Sequence, residues 1–312
     1  MSRLALCIPA YNAADHLPRL LISAQQQTIQ FDEIWVYDDA STDDTSQVAD
    51  CYGARVLRGS INLGCSSAKN ALLNKVSSEW IHFHDADDEL LPNFTTLAHR
   101  WIAKPSCPDV VLFDYEYRDD NSGELLARSA FSPQELEADP VRFAILNQIN
   151  PFCGLYKTAS LLRVDGYDTD PLILYNEDVA FHIKLASNGL SFSAEKEISI
   201  INYRMSGSMS QANQVRCLIA HVEVMKRACE TLGDRYPMEL KKKLWHAAEQ
   251  LSSKQEWYHM DDALAAAEKL TRDFPVGFSP TLVFFVRLLG DRKAFCLREN
   301  LIRILKPQLR RA

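Results

Sequence analysis

The chain has 312 residues, enough to bury a large core and to hold more than one module. With 47% hydrophobic and 24% charged residues it has neither a disordered nor a fibrous composition, so a packed fold is expected throughout. The net charge of −7 excludes general nucleic-acid binding, which needs a basic face.

The first hundred residues alternate strand and helix signals. Leu4 to Ile8 is a short apolar run closed by Pro9, as in a buried parallel strand. From Asp15 to Gln27 the apolar residues Leu17, Leu20, Leu21 and Ala24 keep helical spacing. Glu33 to Tyr37 is rich in β-formers, Thr45 to Tyr52 reads as a short helix, and Ala54 to Leu57 as a third strand. Ser66 to Val76 reads as a helix and Trp80 to Phe83 as a fourth strand. This order predicts a parallel sheet covered by helices, with ligands at the carboxyl ends of the strands. Pro105 to Pro108 reads as a linker. Beyond it lie a strand from Val110 to Tyr117, a polar turn from Asp119 to Gly123, a helix from Pro140 to Asn147 and a strand from Ile198 to Arg204. From Gln214 onward Ala, Leu, Glu and Lys dominate with helical periodicity. Three regions are therefore expected: 1–105 and 106–210 as two halves of one domain, and 211–312 as a helical module.

The acidic residues fall at element ends. Asp38-Asp39 follow the second strand, Asp85-Ala86-Asp87-Asp88 follow the fourth, and Glu177-Asp178 open a helix after Tyr175-Asn176. Any one cluster can be a helix cap or a turn. Three at such positions point to one cleft. A D-x-D pair offers hard oxygen ligands for Mn²⁺ or Mg²⁺, ions that bridge diphosphates and neutralise a departing one. His82 and His84 flank this cluster, but alternate residues on one strand face are more often packed than metal-bound. Phe152, Tyr156 and Tyr175 suit either stacking on a sugar or the core.

The eight cysteines are scattered without a C-x-x-C pair, which fits free thiols in a reducing cytosol rather than a zinc or redox site. Leu4 to Ile8 is too short for a signal peptide, and no run reaches the roughly 20 apolar residues of a membrane span. A cytoplasmic protein is expected. From Thr281 to Ala312 eight Lys/Arg stand against two Asp/Glu. Within this tail Leu297, Leu301, Leu305 and Ile302 share one helical face beside basic residues. That face either rests on an anionic membrane surface, placing the protein at the inner membrane face, or completes the helical module's core. Packing is preferred, since so small a module needs its apolar faces for itself.

The motifs together resemble family 2 glycosyltransferases, which have the GT-A fold. Ile8-Pro9-Ala10-Tyr11-Asn12 is similar to that family's first-strand motif. Val36 to Thr45 resembles its "VVDDGSTDGT" phrase, with Tyr37 and Ala40 as departures. Asn62-Leu63-Gly64 and Ala68-Lys69-Asn70 resemble its "NxG…ARN" segment, with Lys in place of Arg. Phe83 through Pro92 resembles "FLDADDxxxP", and Asn176 through Gly189 resembles "EDxxxxxRxxxxG", with Lys184 near the Arg position. The resemblance spans Leu4 to about Ser210.

It implies an α/β, GT-A-like nucleotide-binding sheet flanked by helices, followed by the helical module. It implies an inverting, metal-dependent transfer from a nucleoside-diphosphate sugar, by default UDP-linked, to a glycan or lipid-linked acceptor, as in cell-surface polysaccharide assembly. Asp39 would bind the nucleobase, with Pro9, Tyr11 and Asn12 lining its pocket and Lys69 near the nucleotide. Asp85 would hold the ribose or a metal-bound water, and Asp87 would be the principal metal ligand. Asp178 would be the general base, with Glu177 as alternative. Many relatives have a His where this chain has Ser206, and 206–210 suits a lid. Those departures keep open a second reading, a catalytically degenerate nucleotide-sugar-binding partner of another transferase. A dinucleotide oxidoreductase is disfavoured because no glycine follows the first strand. A processive synthase is disfavoured because membrane spans and a Q-x-x-R-W motif are absent from the sequence.

Overall fold

A computed structural model describes residues 2–204 and 212–310. They form two compact units, Met1–Ala144 with Gln148–Ser208, and Ile145–Asn147 with Met209–Ala312. Ser206 and the lid expected at 206–210 lie outside the described residues.

The elements of the first unit begin β1 (Leu4–Ala10), α1 (Leu17–Gln25), β2 (Glu33–Asp38), α2 (Thr45–Cys51), β3 (Arg55–Arg58), α3 (Cys65–Leu73) and β4 (Trp80–Phe83). They continue with β5 (Glu89–Leu90), α4 (Phe94–Ile102), β6 (Val110–Asp119), β7 (Leu125–Ser129), α5 (Pro133–Ala138) and α6 (Pro140–Leu146). Last come β8 (Gly154–Lys157), α7 (Thr158–Arg163), α8 (Glu177–Ser187) and β9 (Phe192–Arg204).

One sheet runs β3-β2-β1-β4-β8-β6-β9-β5, with β7 paired to β6. Its first four strands are parallel, as the alternating pattern predicts. The β1 strand is buried almost end to end, which is why it reads as a continuous apolar run. Beyond β4 the sheet becomes mixed: β8 lies antiparallel between β4 and β6, while β9 runs parallel to β6. The Pro105–Pro108 stretch is no linker between units. It is the turn from α4 into β6 within one unit, with Cys107 N–H donating to Lys104 C=O at 3.1 Å.

Parallel pairing decides where the site forms. Ala10 pairs with Asp38, Asp38 with Arg58, and Cys7 with Phe83, so β1, β2 and β4 end along the same edge of the sheet. The opposite edge holds Glu33. Burial raises its carboxyl, but bonds from Trp35, Ser78 and Ser77 outweigh that and bring it down to about 2. His82 and His84 are core residues: His82 Nδ1–H donates to Gly154 C=O at 2.8 Å, and its Nε2 lies 2.9 Å from His84 Nδ1. Burial holds the His82 ring at about 4, so the imidazole is neutral and joins β4 to β8. Phe152 and Tyr156 are likewise buried. All eight cysteines are free thiols.

The second unit contains α9 (Gln214–Leu232), α10 (Pro237–Ser253), α11 (Trp257–Glu268), α12 (Pro280–Leu289) and α13 (Asp291–Leu305). Trp245 is fully buried, with the rings of Phe274, Phe278 and Phe295 5.9, 5.1 and 5.5 Å away. Of the face expected to pack, Leu297 and Ile302 are half-buried while Leu301 and Leu305 are exposed, so it contributes only in part to the module's core. The face of α13 that packs carries Ala294, Phe295 and Glu299. Glu299 is accommodated there because Arg303 and Arg310 approach it at 2.9 and 2.8 Å.

Candidate active site

The turn after β1 and the turn after β2 interlock. Asn12 has φ 48° and Ala40 has φ 61°. Asn12 N–H donates to Ser41 Oγ at 2.9 Å, and Asn12 Oδ1 accepts from Thr42 N–H at 2.8 Å. Asn tolerates the left-handed region; Ala does not, because its Cβ crowds the carbonyl. Ala40→Gly is therefore expected to stabilise the protein by about 0.5–1 kcal/mol, read as a higher urea midpoint at unchanged slope. An unchanged midpoint would show that the turn carries no strain.

Asp38 and Asp39 part ways. Asp38 is fully buried and accepts from Ser41 N–H at 2.7 Å and from the Ser46 hydroxyl, fixing the turn. The two Asp39 oxygens accept from the N–H groups of Leu63 and Gly64 at 3.0 and 2.7 Å, which draws the Asn62-Leu63-Gly64 loop against β2. Each oxygen keeps acceptor capacity for a further donor. Pro9 is half-buried and Tyr11 is exposed beside this turn.

From that loop α3 begins, and it turns Lys69 inward, where the ammonium is buried. Burial disfavours its charge, yet the neighbouring Cys65, Asp85 and Glu177 more than offset this and hold its pKa above the usual lysine range. Its Nζ lies 5.2 Å from the centre of the Tyr167 ring. Tyr167 stacks on Phe181 at 3.7 Å, and its loop is clamped to α3 by Asn70, which donates to Tyr167 C=O at 2.9 Å and accepts from its N–H at 2.8 Å. Gly166 must be glycine here: its φ is 53°, and a Cβ would meet Asn70 Oδ1 at 2.3 Å. Lys184 donates to Gly166 C=O at 3.0 Å, which makes it a support for this loop.

The carboxylates gather around Lys69. Burial pushes the Asp85 carboxyl up to about 6; Lys69 opposes this, and the charges of Asp87 and Asp178 add to it. Burial likewise raises Glu177 to about 7 against the pull of Lys69, with Asp178 and Asp85 adding to the rise. Asp178 is raised by burial as well. Its Oδ1 accepts from Val179 N–H at 2.9 Å and its Oδ2 accepts from the Gln148 amide. Behind it, His182 Nδ1–H donates to Asp178 C=O at 2.8 Å, and His182 Nε2 lies 2.9 Å from the Tyr156 hydroxyl. Both acids sit in the first turn of α8, where the helix dipole favours negative charge.

Asp87 is half-buried. Its backbone carbonyl accepts from Arg19, whose guanidinium also bonds Asp120 at 2.7 Å and lies 3.8 Å over the Tyr203 ring. Asp88 is fully buried and accepts from Asn202 Nδ2 at 2.7 Å and Tyr203 N–H at 2.9 Å, so it ties the turn to β9. Among the described residues no three His, Cys, Asp or Glu side chains converge as a ready-made metal cage. Asp85 and Asp87 instead suit an ion held by one or two carboxylates that keeps its remaining positions for phosphate oxygens. Their mutual repulsion is what such a cation would relieve.

Asp85, Lys69, Glu177 and Asp178 are thus brought together, and Asp87 adjoins Asp85. Gln148, Arg19 and Tyr167 were missed from the sequence. Each acts across a long chain separation, Gln148 and Tyr167 from segments without periodicity or motif and Arg19 from a helix whose pattern says nothing of its polar partners.

A family model described as "Glycosyl transferase family 2" matches residues 5–163. A poly(ribitol-phosphate) beta-N-acetylglucosaminyltransferase, TarS of Staphylococcus aureus, is 26% identical over 235 residues, 68% of this chain and 38% of that protein. The chain spans about half the length of the curated relatives it matches. The crystal structure of S. aureus TarS 1–349 in complex with UDP-GlcNAc superposes with a TM-score of 0.68 at 21% identity, covering 97% of this chain and 92% of that one. A Pyrobaculum calidifontis mannosyltransferase in complex with GDP-Man and Mn²⁺ gives a TM-score of 0.58 at 19% identity, covering 97% of this chain and 87% of that one. These likenesses show a shared GT-A fold.

Proposed function

We propose that this chain, which belongs to glycosyl transferase family 2, moves a hexose-type sugar from a nucleoside-diphosphate donor, UDP-linked by preference, to a hydroxyl of a glycan or lipid-linked acceptor, with inversion. The observation that carries this reading is the gathering of Asp85, Lys69, Glu177 and Asp178 at the strand-end edge of the sheet. The UDP-GlcNAc named for the TarS complex and the Mn²⁺ named for the mannosyltransferase complex support the donor and the metal.

In this reading 1–105 binds the donor, 106–210 the acceptor, and 211–312 is an appended helical module. Pro9, Tyr11, Asn12 and Asp39 form the nucleobase pocket. Lys69, kept charged by its acidic neighbours, attracts the diphosphate. Asp87, with Asp85, would hold Mn²⁺ or Mg²⁺, which supplies positive charge to the departing diphosphate. Asp178 accepts the acceptor hydroxyl's proton as its oxygen attacks the anomeric carbon opposite the leaving phosphate. One carboxylate base suffices for inversion; no carboxylate nucleophile is needed. Glu177 shares the negative field and can take the proton if Asp178 is occupied. The Gln148 amide and the Val179 N–H each fix one Asp178 oxygen, and each oxygen keeps a second acceptor position for the acceptor hydroxyl.

A panel of nucleotide sugars assayed for hydrolysis with and without Mn²⁺ tests the proposal. Ion-dependent release of nucleoside diphosphate from one or a few donors is expected. Tight donor binding without turnover, under every ion and acceptor tried, would overturn it in favour of the binding-partner reading.

A further inference from the structure

The second unit leaves large apolar side chains in water along one hairpin. On α12, Phe284 and Leu288 are 61% and 66% exposed; at the end of α13, Ile304 and Leu305 are 73% and 70% exposed. A groove of about 340 Å³ runs between the two helices, lined by Leu282, Phe285, Leu301 and Ile302 together with Arg298 and Lys306. Single exposed apolar residues are ordinary, but several on two helices that share a groove mark a surface that something covers.

Within the hairpin itself the exposed charges have one sign. Between Ser279 and Arg310 the acidic side chains are Asp291, half-buried, and Glu299, fully buried against Arg303 and Arg310. The exposed charged side chains of this segment are Arg287, Arg292, Lys293 and Lys306, all cationic, of which Arg292 is paired with Asp261 at 2.8 Å. Two copies meeting through this face would set those cations against each other. An anionic bilayer satisfies both features: the apolar side chains enter the boundary with the acyl chains, and the cations meet lipid phosphates. No helix among the described residues is long and apolar enough to cross a membrane, so the hairpin would lie on the surface.

We propose that the α12–α13 hairpin is a docking surface for an anionic lipid bilayer. The inference rests on the second unit alone and stands apart from the chemistry proposed for the first. The full chain should co-sediment with phosphatidylglycerol–phosphatidylcholine vesicles at low salt, bind phosphatidylcholine vesicles weakly, and be released by high salt. Leu288→Ser with Phe284→Ser, and separately Lys293→Glu with Lys306→Glu, should each weaken vesicle binding by about tenfold or more while the melting temperature stays unchanged. Because all four side chains are exposed, neither pair disturbs the core. No binding by the full chain to anionic vesicles at low salt, equal binding to both vesicle types, or a solution dimer that Leu288→Ser dissociates would overturn the proposal.

Discussion

Asp87→Ala is expected to abolish metal-dependent sugar transfer without unfolding the protein. An ion that stabilises a departing diphosphate contributes several kcal/mol to the transition state, so turnover should fall by about 10²–10⁴. Stability should move the other way. The Asp87 charge raises the pKa of Asp85 and of Asp88, which means that it repels both. Removing it should leave the metal-free melting temperature equal or higher, while the rise produced by Mn²⁺ in the parent disappears. Thermal melts with and without Mn²⁺, run beside the transfer assay, read both effects. Retained Mn²⁺-dependent turnover would move the ion to another site.

Asp178→Asn is expected to lower turnover by about 10²–10⁴ and to leave donor affinity nearly intact, because a base acts on the acceptor's proton and not on the nucleotide. The same assignment fixes the sign of the pH dependence. A base works ionised, and burial raises both Asp178 and Glu177, the latter to about 7. Activity should therefore decline as pH falls, with its acid limb above the usual aspartate range. The Gln148 bond favours the ionised form of Asp178. Gln148→Leu should accordingly shift the acid limb to higher pH, whereas a residue that merely supports the fold would leave its position unchanged. Loss of donor affinity in Asp178→Asn at constant turnover would place Asp178 among the binding groups.

Much of the β1–β4 half was legible in the sequence because local signals and tertiary structure agree there. β1 to β4 are short runs between helices, and parallel pairing puts the ends of β1, β2 and β4 on one edge, so carboxylates that follow strands must gather. The rest depends on partners far along the chain. β8, only four residues long, is a strand because β4 and β6 flank it, and nothing in Gly154-Leu155-Tyr156-Lys157 announces that. Gln148 meets Asp178 from an irregular segment 30 residues earlier. The tail misled for a different reason. α13 carries two stripes that can be read as apolar, and the one that packs includes Glu299, whose burial depends on Arg303 and Arg310. Hydrophobic periodicity gives such a stripe no weight.

The tie between Asp88 and β9 sets an order of events during synthesis. Asp88 reaches partners 114 and 115 residues further along the chain, at Asn202 and Tyr203. Until those residues have left the ribosome, a nascent chain presents the carboxylates of the β4 turn without the strand that holds them in place. The four parallel strands β1 to β4 can pair early, yet the turn after β4 takes its final shape only once β9 has been made.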